Sequence, residues 1–230
     1  MSKDKNGCKI KITENGPYIV TGNVPLQEKI IVKKGRGYEY KDGPNLPQAE
    51  EYHLCRCGKS KNAPFCDGAH AVINFVGTET ASRDKYEDRV DLFEGPGVDL
   101  LDDGRCAFAR FCHSDKGNTW DLVENSDKPE YMEKAIQTAC DCPTGRLTAV
   151  DIETGKVIEP FYEPCIDIIQ DPGQGVSAGI FVKGNIPIEA ADGELYEIRN
   201  RVALCRCGKS YEKPYCDATH VLMEFLDEQN

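Results

Sequence analysis

The sequence lacks a basic excess, a long apolar run and a secretory signal. Of its 230 residues, 28 are Lys or Arg and 39 are Asp or Glu, which gives a formal net charge of −11. A nucleic-acid-binding surface needs a concentrated basic face, so this acidic balance argues against a nucleic-acid partner. No stretch of about 18 apolar residues could span a membrane, and the polar segment 1–11 lacks the apolar core of a signal peptide. We therefore expect a cytoplasmic protein.

Nucleotide-binding motifs are lacking as well. The sequence contains neither a G-x-G-x-x-G fingerprint after a predicted strand nor a P-loop. No hydride-transfer or flavin site is evident. We therefore expect a carrier or binding protein rather than an enzyme.

Cysteine, by contrast, is abundant, and its distribution is the most informative property of the chain. Ten of the twelve Cys fall into three groups, and only Cys8 and Cys165 stand apart. A secreted disulfide scaffold would distribute cysteines in pairs along a small chain. Grouped thiols without a secretory signal predict thiolate ligands of metal cofactors in a reducing compartment. The groups are Cys55, Cys57 and Cys66; Cys106, Cys112, Cys140 and Cys142; and Cys205, Cys207 and Cys216.

The first and third groups belong to an internal repeat. Residues 54–70 and 204–220 both contain the pattern C-x-C-x8-C-x3-H, and residues 16–26 also match residues 178–188. Two copies are too few for a solenoid, but they can pair as an internal version of a symmetric dimer. The repeat predicts two modules related by a pseudo-twofold axis in a monomeric chain.

Within each copy, the spacing of the sulfur and imidazole groups suits a metal. Cys55 and Cys57 lie two apart, so on an extended segment they point the same way. Cys66 and His70 lie four apart, so on a helical turn they share a face. Asp67 could cap this turn or accept a hydrogen bond beside the site. The same arguments apply to Cys205, Cys207, Cys216 and His220, with Asp217 in the place of Asp67.

Zinc is one metal that suits these donors, because three Cys and one His form a common structural zinc site. A disulfide interpretation is weaker, because it would leave one odd thiol in each copy.

The two motifs resemble the CDGSH iron–sulfur domain of the mitoNEET type. Cys66-Asp-Gly-Ala-His70 matches its signature closely, and Cys216-Asp-Ala-Thr-His220 differs by Ala218 at the motif glycine. The resemblance implies a small β-rich fold and two [2Fe–2S] clusters, which would be held by Cys55, Cys57, Cys66 and His70 and by Cys205, Cys207, Cys216 and His220. If the glycine position needs a positive φ, Ala218 is strained and the second site differs in lability.

A histidine ligand changes the expected redox chemistry. An imidazole in place of a thiolate leaves the cluster one negative charge fewer, so reduction becomes easier. We expect one-electron carriers of intermediate potential. Where the free ring nitrogen of the histidine meets solvent, proton uptake is expected to accompany reduction. Proteins that donate or store labile clusters are the alternative class.

The middle group of cysteines carries a second resemblance. Cys106 and Cys112 form C-x5-C, and Cys142-Pro143 follows thirty residues later. This arrangement resembles the divergent single-cluster ferredoxin domain with three cluster cysteines, which implies a third cluster of the [3Fe–4S] type or of the [4Fe–4S] type with His113 or Cys140 as an added ligand. The alternative is that these cysteines are small buried apolar residues.

The sequence thus predicts an α+β, mostly β protein. We expect the first CDGSH-type module in residues 1–80, a ferredoxin-like α/β insert in 81–171 and the second module in 172–230. Strands are predicted at 18–21, 29–32, 147–151, 180–183 and 195–198, and Asp127 is expected to cap a helix that begins near Pro129. The partner would be a redox protein or an acceptor of clusters.

Overall fold

The computed structural model describes residues 7–227 of the chain. It is mostly β, with 32% of residues in strands and 13% in helices, which confirms the predicted fold class. The strands before the insert are β1 Lys9–Ile12, β2 Tyr18–Thr21, β3 Leu26–Lys34, β4 Gly37–Asp42 and β5 Glu51–Leu54. Those of the middle part are β6 Asp91–Phe93, β7 Val98–Asp102, β8 His113–Ser114, β9 Gly117–Asn118, β10 Leu147–Asp151 and β11 Val157–Ile158. The last four are β12 Cys165–Asp171, β13 Val176–Lys183, β14 Ile188–Glu189 and β15 Arg201–Leu204.

Helices are few and short. They are α1 Ala69–Val72, α2 Thr119–Glu124, α3 Pro129–Cys140 and α4 Thr219–Leu222. Among the described residues, no helix is both long enough and apolar enough to cross a lipid bilayer.

The two sequence repeats build two sheets, and each sheet includes a part of the other repeat. The first sheet has the order β14-β1-β2-β5, and the second has the order β15-β13-β12-β3-β4. Ile10 of β1 pairs in parallel with Ile188 of the second repeat, and Ile166 of β12 pairs in parallel with Leu26 of the first. Strands β3 and β4 of the first repeat therefore join the second sheet, and β14 of the second repeat joins the first, as the reciprocal contacts of a pseudo-twofold axis require.

The pseudo-twofold symmetry also includes β12, a strand that lies outside the two repeated sequence segments. It falls within residues 81–171, yet it occupies the place in the second sheet that β1 has in the first. Ile10 pairs with Val20 and Ile166 pairs with Val182.

The core of the protein lies between these two sheets. Apolar side chains of alternate strand positions, which point to one face of each sheet, meet there, and most of them are fully buried. They include Ile10, Val20, Leu26, Ile166, Ile180, Val182 and Leu204. The outer face of the five-stranded sheet forms a second cluster, which Ala107, Ala109 and Phe111 of the middle segment cover.

The middle segment has a sheet and a core of its own. Its sheet has the order β11-β10-β7-β6, and α2 and α3 pack on it through Leu122 and Ala139. Helix α3 begins at Pro129, as expected, but Asp127 does not cap it: the N-cap is Lys128, without a side-chain hydrogen bond.

Four of the five predicted strands form, in β2, β3, β10 and β13. The prediction for 195–198 is wrong, because this segment makes only an isolated bridge between Leu195 and Glu189. Strand β14, two residues long, lies between Leu195 and β1 and is the strand that joins the first sheet.

Candidate metal centres

The first repeat brings its four candidate ligands together in two pairs. Cys55 and Cys57 follow β5, and their sulfur atoms lie 3.7 Å apart. Cys66 precedes α1, and its sulfur lies 3.3 Å from Nδ1 of His70. Backbone hydrogen bonds bring the two pairs to the same strand end, since the amide of Cys55 donates to Pro64 and the amide of Cys66 donates to His53.

The second repeat has the same geometry. The sulfur atoms of Cys205 and Cys207 lie 3.6 Å apart, and the sulfur of Cys216 lies 3.4 Å from Nδ1 of His220. The backbone bonds recur as well, with Cys205 donating to Pro214 and Cys216 donating to Ala203.

Polar side chains close each ligand loop in the same way. The Asp67 carboxylate accepts from the amides of Lys61 and Ala69, at 2.8 and 2.9 Å, as was expected of a residue that organises this turn. The Ser60 hydroxyl donates to the carbonyl of Phe65 and accepts from the amide of Asn62. Asp217 and Ser210 make the equivalent bonds in the second repeat.

The first cysteine of each C-x-C pair lies in a cradle of backbone amides. Hydrogen bonds from Cys57 and from the amides of Ser60 and Gly58 lower the pKa of Cys55 to about 6, and the ionised partner raises the pKa of Cys57. In the second repeat, a hydrogen bond from Cys207 and the amides of Ser210 and Gly208 likewise lower the pKa of Cys205 to about 6. Such a cradle stabilises a thiolate, which is the form that binds a metal.

The separation of the sulfur atoms within each C-x-C pair suits two thiolates on one metal. Two thiolates on one tetrahedral metal, each at about 2.3 Å, lie about 3.8 Å apart, which is close to the observed separation within each C-x-C pair. Among residues 7–227, however, no three Cys, His, Asp or Glu side chains are grouped so that one ion could bind them.

The two sites differ in their exposure. Cys66 and His70 are partly exposed, and α1 contributes no buried residue. Cys216 and His220 are only 4% and 2% exposed. Burial accordingly lowers the pKa of His220 to about 4.

The residue after each motif aspartate adopts a left-handed conformation. Gly68 has φ 89° and Ala218 has φ 69°. The position thus does require a positive φ, as the glycine of the first motif suggested. Ala218 is therefore strained, because the left-handed conformation is unfavourable for a residue with a Cβ atom.

The middle cysteines meet at one cavity. Cys106, Cys112 and Cys142 all line it, together with Ala109, Trp120 and Thr144. Burial and the neighbouring sulfurs raise the pKa of Cys112 to about 11. The structure therefore brings the three predicted thiols to a common space.

The two candidates for an added ligand lie elsewhere. His113 is exposed in β8, and the Cys140 thiol donates to the carbonyl of Ile158. Neither residue lines the cavity of the three thiols. The hydroxyl of Thr144 lies 3.3 Å from the sulfur of Cys142.

Two arginines that join the insert to the second repeat were not anticipated. Arg201 is fully buried, and its guanidinium donates to the carbonyls of Ala139 and Cys142 and to the carboxylate of Glu159. Arg110 donates to both oxygens of Asp171. Neither lies in a recognisable motif, because their partners are distant in sequence.

One short sequence matches the pattern of a hydrolase nucleophile. Residues 175–179 read G-V-S-A-G, but Ser177 lies in β13, is 3% exposed and accepts from the amide of Asp227. A nucleophile of this type stands exposed on a sharp turn between strand and helix. The match therefore marks no active site.

Comparison with known families agrees with the repeat. Residues 15–71 and 179–221 match the model of a family described as an iron-binding zinc finger of CDGSH type. No curated protein and no solved structure matches the chain.

Proposed function

Two CDGSH-type iron-binding modules are present in this chain, and we propose that each holds one [2Fe–2S] cluster for electron transfer. The proposed ligands are three thiolates and one imidazole in each module. They are Cys55, Cys57, Cys66 and His70 in the first and Cys205, Cys207, Cys216 and His220 in the second. The observation that carries the proposal is the arrangement of these donors in two close pairs per module, within segments that match the CDGSH-type family model.

A bound cluster of this type supplies one-electron redox chemistry. The chain contributes the rest. The amide cradle at Cys55 and Cys205 stabilises thiolate charge, and Asp67 and Asp217 fix the turns that present Cys66 and Cys216. The imidazole removes one negative charge compared with an all-Cys site, so the potential lies above that of all-Cys ferredoxins.

The exposure of His70 supports proton coupling at the first module. Its ring is partly exposed, whereas His220 is buried. Proton uptake at the free ring nitrogen needs contact with solvent. We expect the potential of the first module to fall as pH rises and that of the second to change less. A redox titration repeated between about pH 5 and pH 9 decides this, because potentials that stay flat across this range exclude proton coupling.

The same exposure favours a second candidate function, the donation of labile clusters to acceptor proteins. Incubation with a metal-free acceptor ferredoxin separates the two roles. Transfer faster than release to solvent supports donation, whereas retention of the clusters through repeated redox cycles supports a carrier.

The cavity of the middle thiols favours a third cluster, held by Cys106, Cys112 and Cys142. With three thiols and no further sulfur or imidazole lining this cavity among the described residues, the expected type is [3Fe–4S], or [4Fe–4S] with a ligand other than cysteine or histidine at one iron.

Metal and sulfide analysis of anaerobically purified protein tests the proposal. Two clusters require about four irons and four acid-labile sulfides per chain, and a third cluster adds about three or four irons. A colourless protein that contains zinc without sulfide would overturn the proposal in favour of structural zinc sites. The partner of an iron–sulfur carrier would be a one-electron redox protein.

A further inference from the structure

The insert covers the second module and leaves the first uncovered. Ala107 and Ala109 belong to the same buried apolar cluster as Cys216. No described apolar cluster contains Cys66, the equivalent residue of the first module. The difference in exposure between the two sites therefore follows from segment 106–112, here called the cover loop, and not from the modules themselves.

The backbone of the cover loop is held in an unfavourable conformation. Phe108 and Arg110 have φ values of 58° and 67°, although neither is glycine. Such residues are strained and persist only where the surroundings hold them in place. The cover loop is therefore fixed by its contacts with the second module and is not a relaxed connection.

An ion pair supplies one of these contacts. The guanidinium of Arg110 donates to both carboxylate oxygens of Asp171, at 2.7 and 2.9 Å, and both side chains are nearly buried, at 9% and 2% exposure. Asp171 ends β12, so this pair attaches the cover loop directly to the sheet of the second module.

The cover is not continuous. A cavity of about 480 Å³ remains beside it, lined by Arg105, Phe108, Asp217 and Ala218, and it reaches Cys216. Cys216 nevertheless stays 4% exposed. A reagent therefore approaches the edge of the second site but reaches its sulfur only when the cover loop moves.

We propose that the cover loop makes the two modules unequal, so that the first exchanges metal and meets the partner while the second is held closed. This inference rests on the proposed function, because it assigns different roles to the two proposed cluster sites. The Arg110–Asp171 pair sets how often the second site opens.

Release of iron to an excess of chelator tests the inference on the purified, iron-loaded protein. We expect two phases, and alkylation with iodoacetamide after the fast phase should label the peptide that contains Cys66 but not the one that contains Cys216. The variant Arg110→Gln should accelerate release from the second module at least about tenfold, which corresponds to a loss of about 1.4 kcal/mol from the closed state, and should leave the fast phase unchanged. Arg83→Gln, which removes another contact between insert and second module at Asp192, is the matched control and should change neither phase.

The outcomes separate the inference from the proposed function. The inference that the cover loop protects the second site is overturned if Cys66 and Cys216 are labelled equally. It is also overturned if the Arg110→Gln variant keeps the native ratio of labelling rates. If the protein binds no iron, the proposed function fails, but the ratio of alkylation rates in the metal-free chain still tests the cover. If Arg110→Gln does not fold, Asp171→Asn removes the same pair, and the two phases of the native protein decide the result.

Discussion

Gly58 and Cys207 approach each other so closely across the pseudo-twofold axis that no side chain fits between them. A Cβ atom on Gly58 would lie 2.5 Å from the carbonyl oxygen of Cys207, and one on Gly208 would lie 2.6 Å from the carbonyl oxygen of Cys57. The two proposed metal sites are therefore joined through the backbone of their C-x-C segments.

The variant Gly58→Ala should weaken this contact. A methyl group there meets backbone atoms that cannot move aside, and φ of 70° adds conformational strain. We expect a loss of about 3 kcal/mol in the free energy of unfolding, measured by denaturant titration. Gly35→Ala is the control, because Gly35 also has a positive φ but meets no atom within 4 Å. A loss no larger than that of the control would contradict the tight contact.

The residue after the motif aspartate differs between the repeats, so a pair of opposite substitutions can test the strain at this position. Ala218→Gly should stabilise the second module by about 1 kcal/mol, because glycine adopts the positive φ without strain. Gly68→Ala should destabilise the first by a similar amount, since a Cβ there meets no atom within 4 Å and only the backbone strain remains. Thermal unfolding of the two variants measures both effects. Changes of the same sign in both would show that strain at this position is not the cause.

Tyr18 of the first repeat supports the ligand loop of the second. Its hydroxyl donates to the carbonyl of Cys205, at 2.8 Å, in a buried position. Tyr18→Phe removes this hydrogen bond and should lower the free energy of unfolding by about 1–2 kcal/mol. Iron should also leave the second module faster. Tyr52→Phe removes a similar bond to Val24 within the first repeat and should not affect that release.

Arg201 should be the least replaceable arginine of the chain. Arg201→Met would remove the buried guanidinium from the Glu159 carboxylate and from the carbonyls of Ala139 and Cys142. We expect the free energy of unfolding to fall by about 3 kcal/mol, because a largely buried ion pair is broken, together with increased alkylation of Cys142. Peptide mapping measures the second effect. Native reactivity of Cys142 in a folded variant would show that Arg201 does not position this thiol.

The histidines that we propose as ligands should set the potential of each cluster. His70→Cys and His220→Cys each add a thiolate charge, so the potential of the affected module should fall toward the roughly −400 mV of all-Cys ferredoxins. Both replacements should also slow the loss of clusters in acid, because they remove the nitrogen that competes for a proton. Spectroscopic redox titration of each variant measures the shift. An unchanged potential would exclude the replaced residue as a ligand.

The residues alone predicted those features that repeat along the chain or that follow local rules. The C-x-C and C-x3-H spacings indicated the paired donors, and Pro129 marked the start of α3. The spacing could not indicate the exchange of β3 and β14, because parallel pairing between distant strands leaves no local pattern. The strand predicted at 195–198 failed because its neighbour β14 is only two residues long and bridges to Leu195 alone.

The part of the site that the sequence did not reveal depends on tertiary contacts. The duplicated motifs suggest equal sites, and only the packing of Ala107 and Ala109 on Cys216 makes them unequal. Arg110 and Asp171 lie 61 positions apart, so their pairing could not be inferred from spacing.

The exchange of β3 and β14 also determines how the polypeptide can be divided. A fragment that contains only the first repeat would present Ile10 without its parallel neighbour, and its β3 would have no sheet to join. Two fragments that are cut within the insert and produced together should therefore assemble into one stable complex, although each of them alone would stay unfolded.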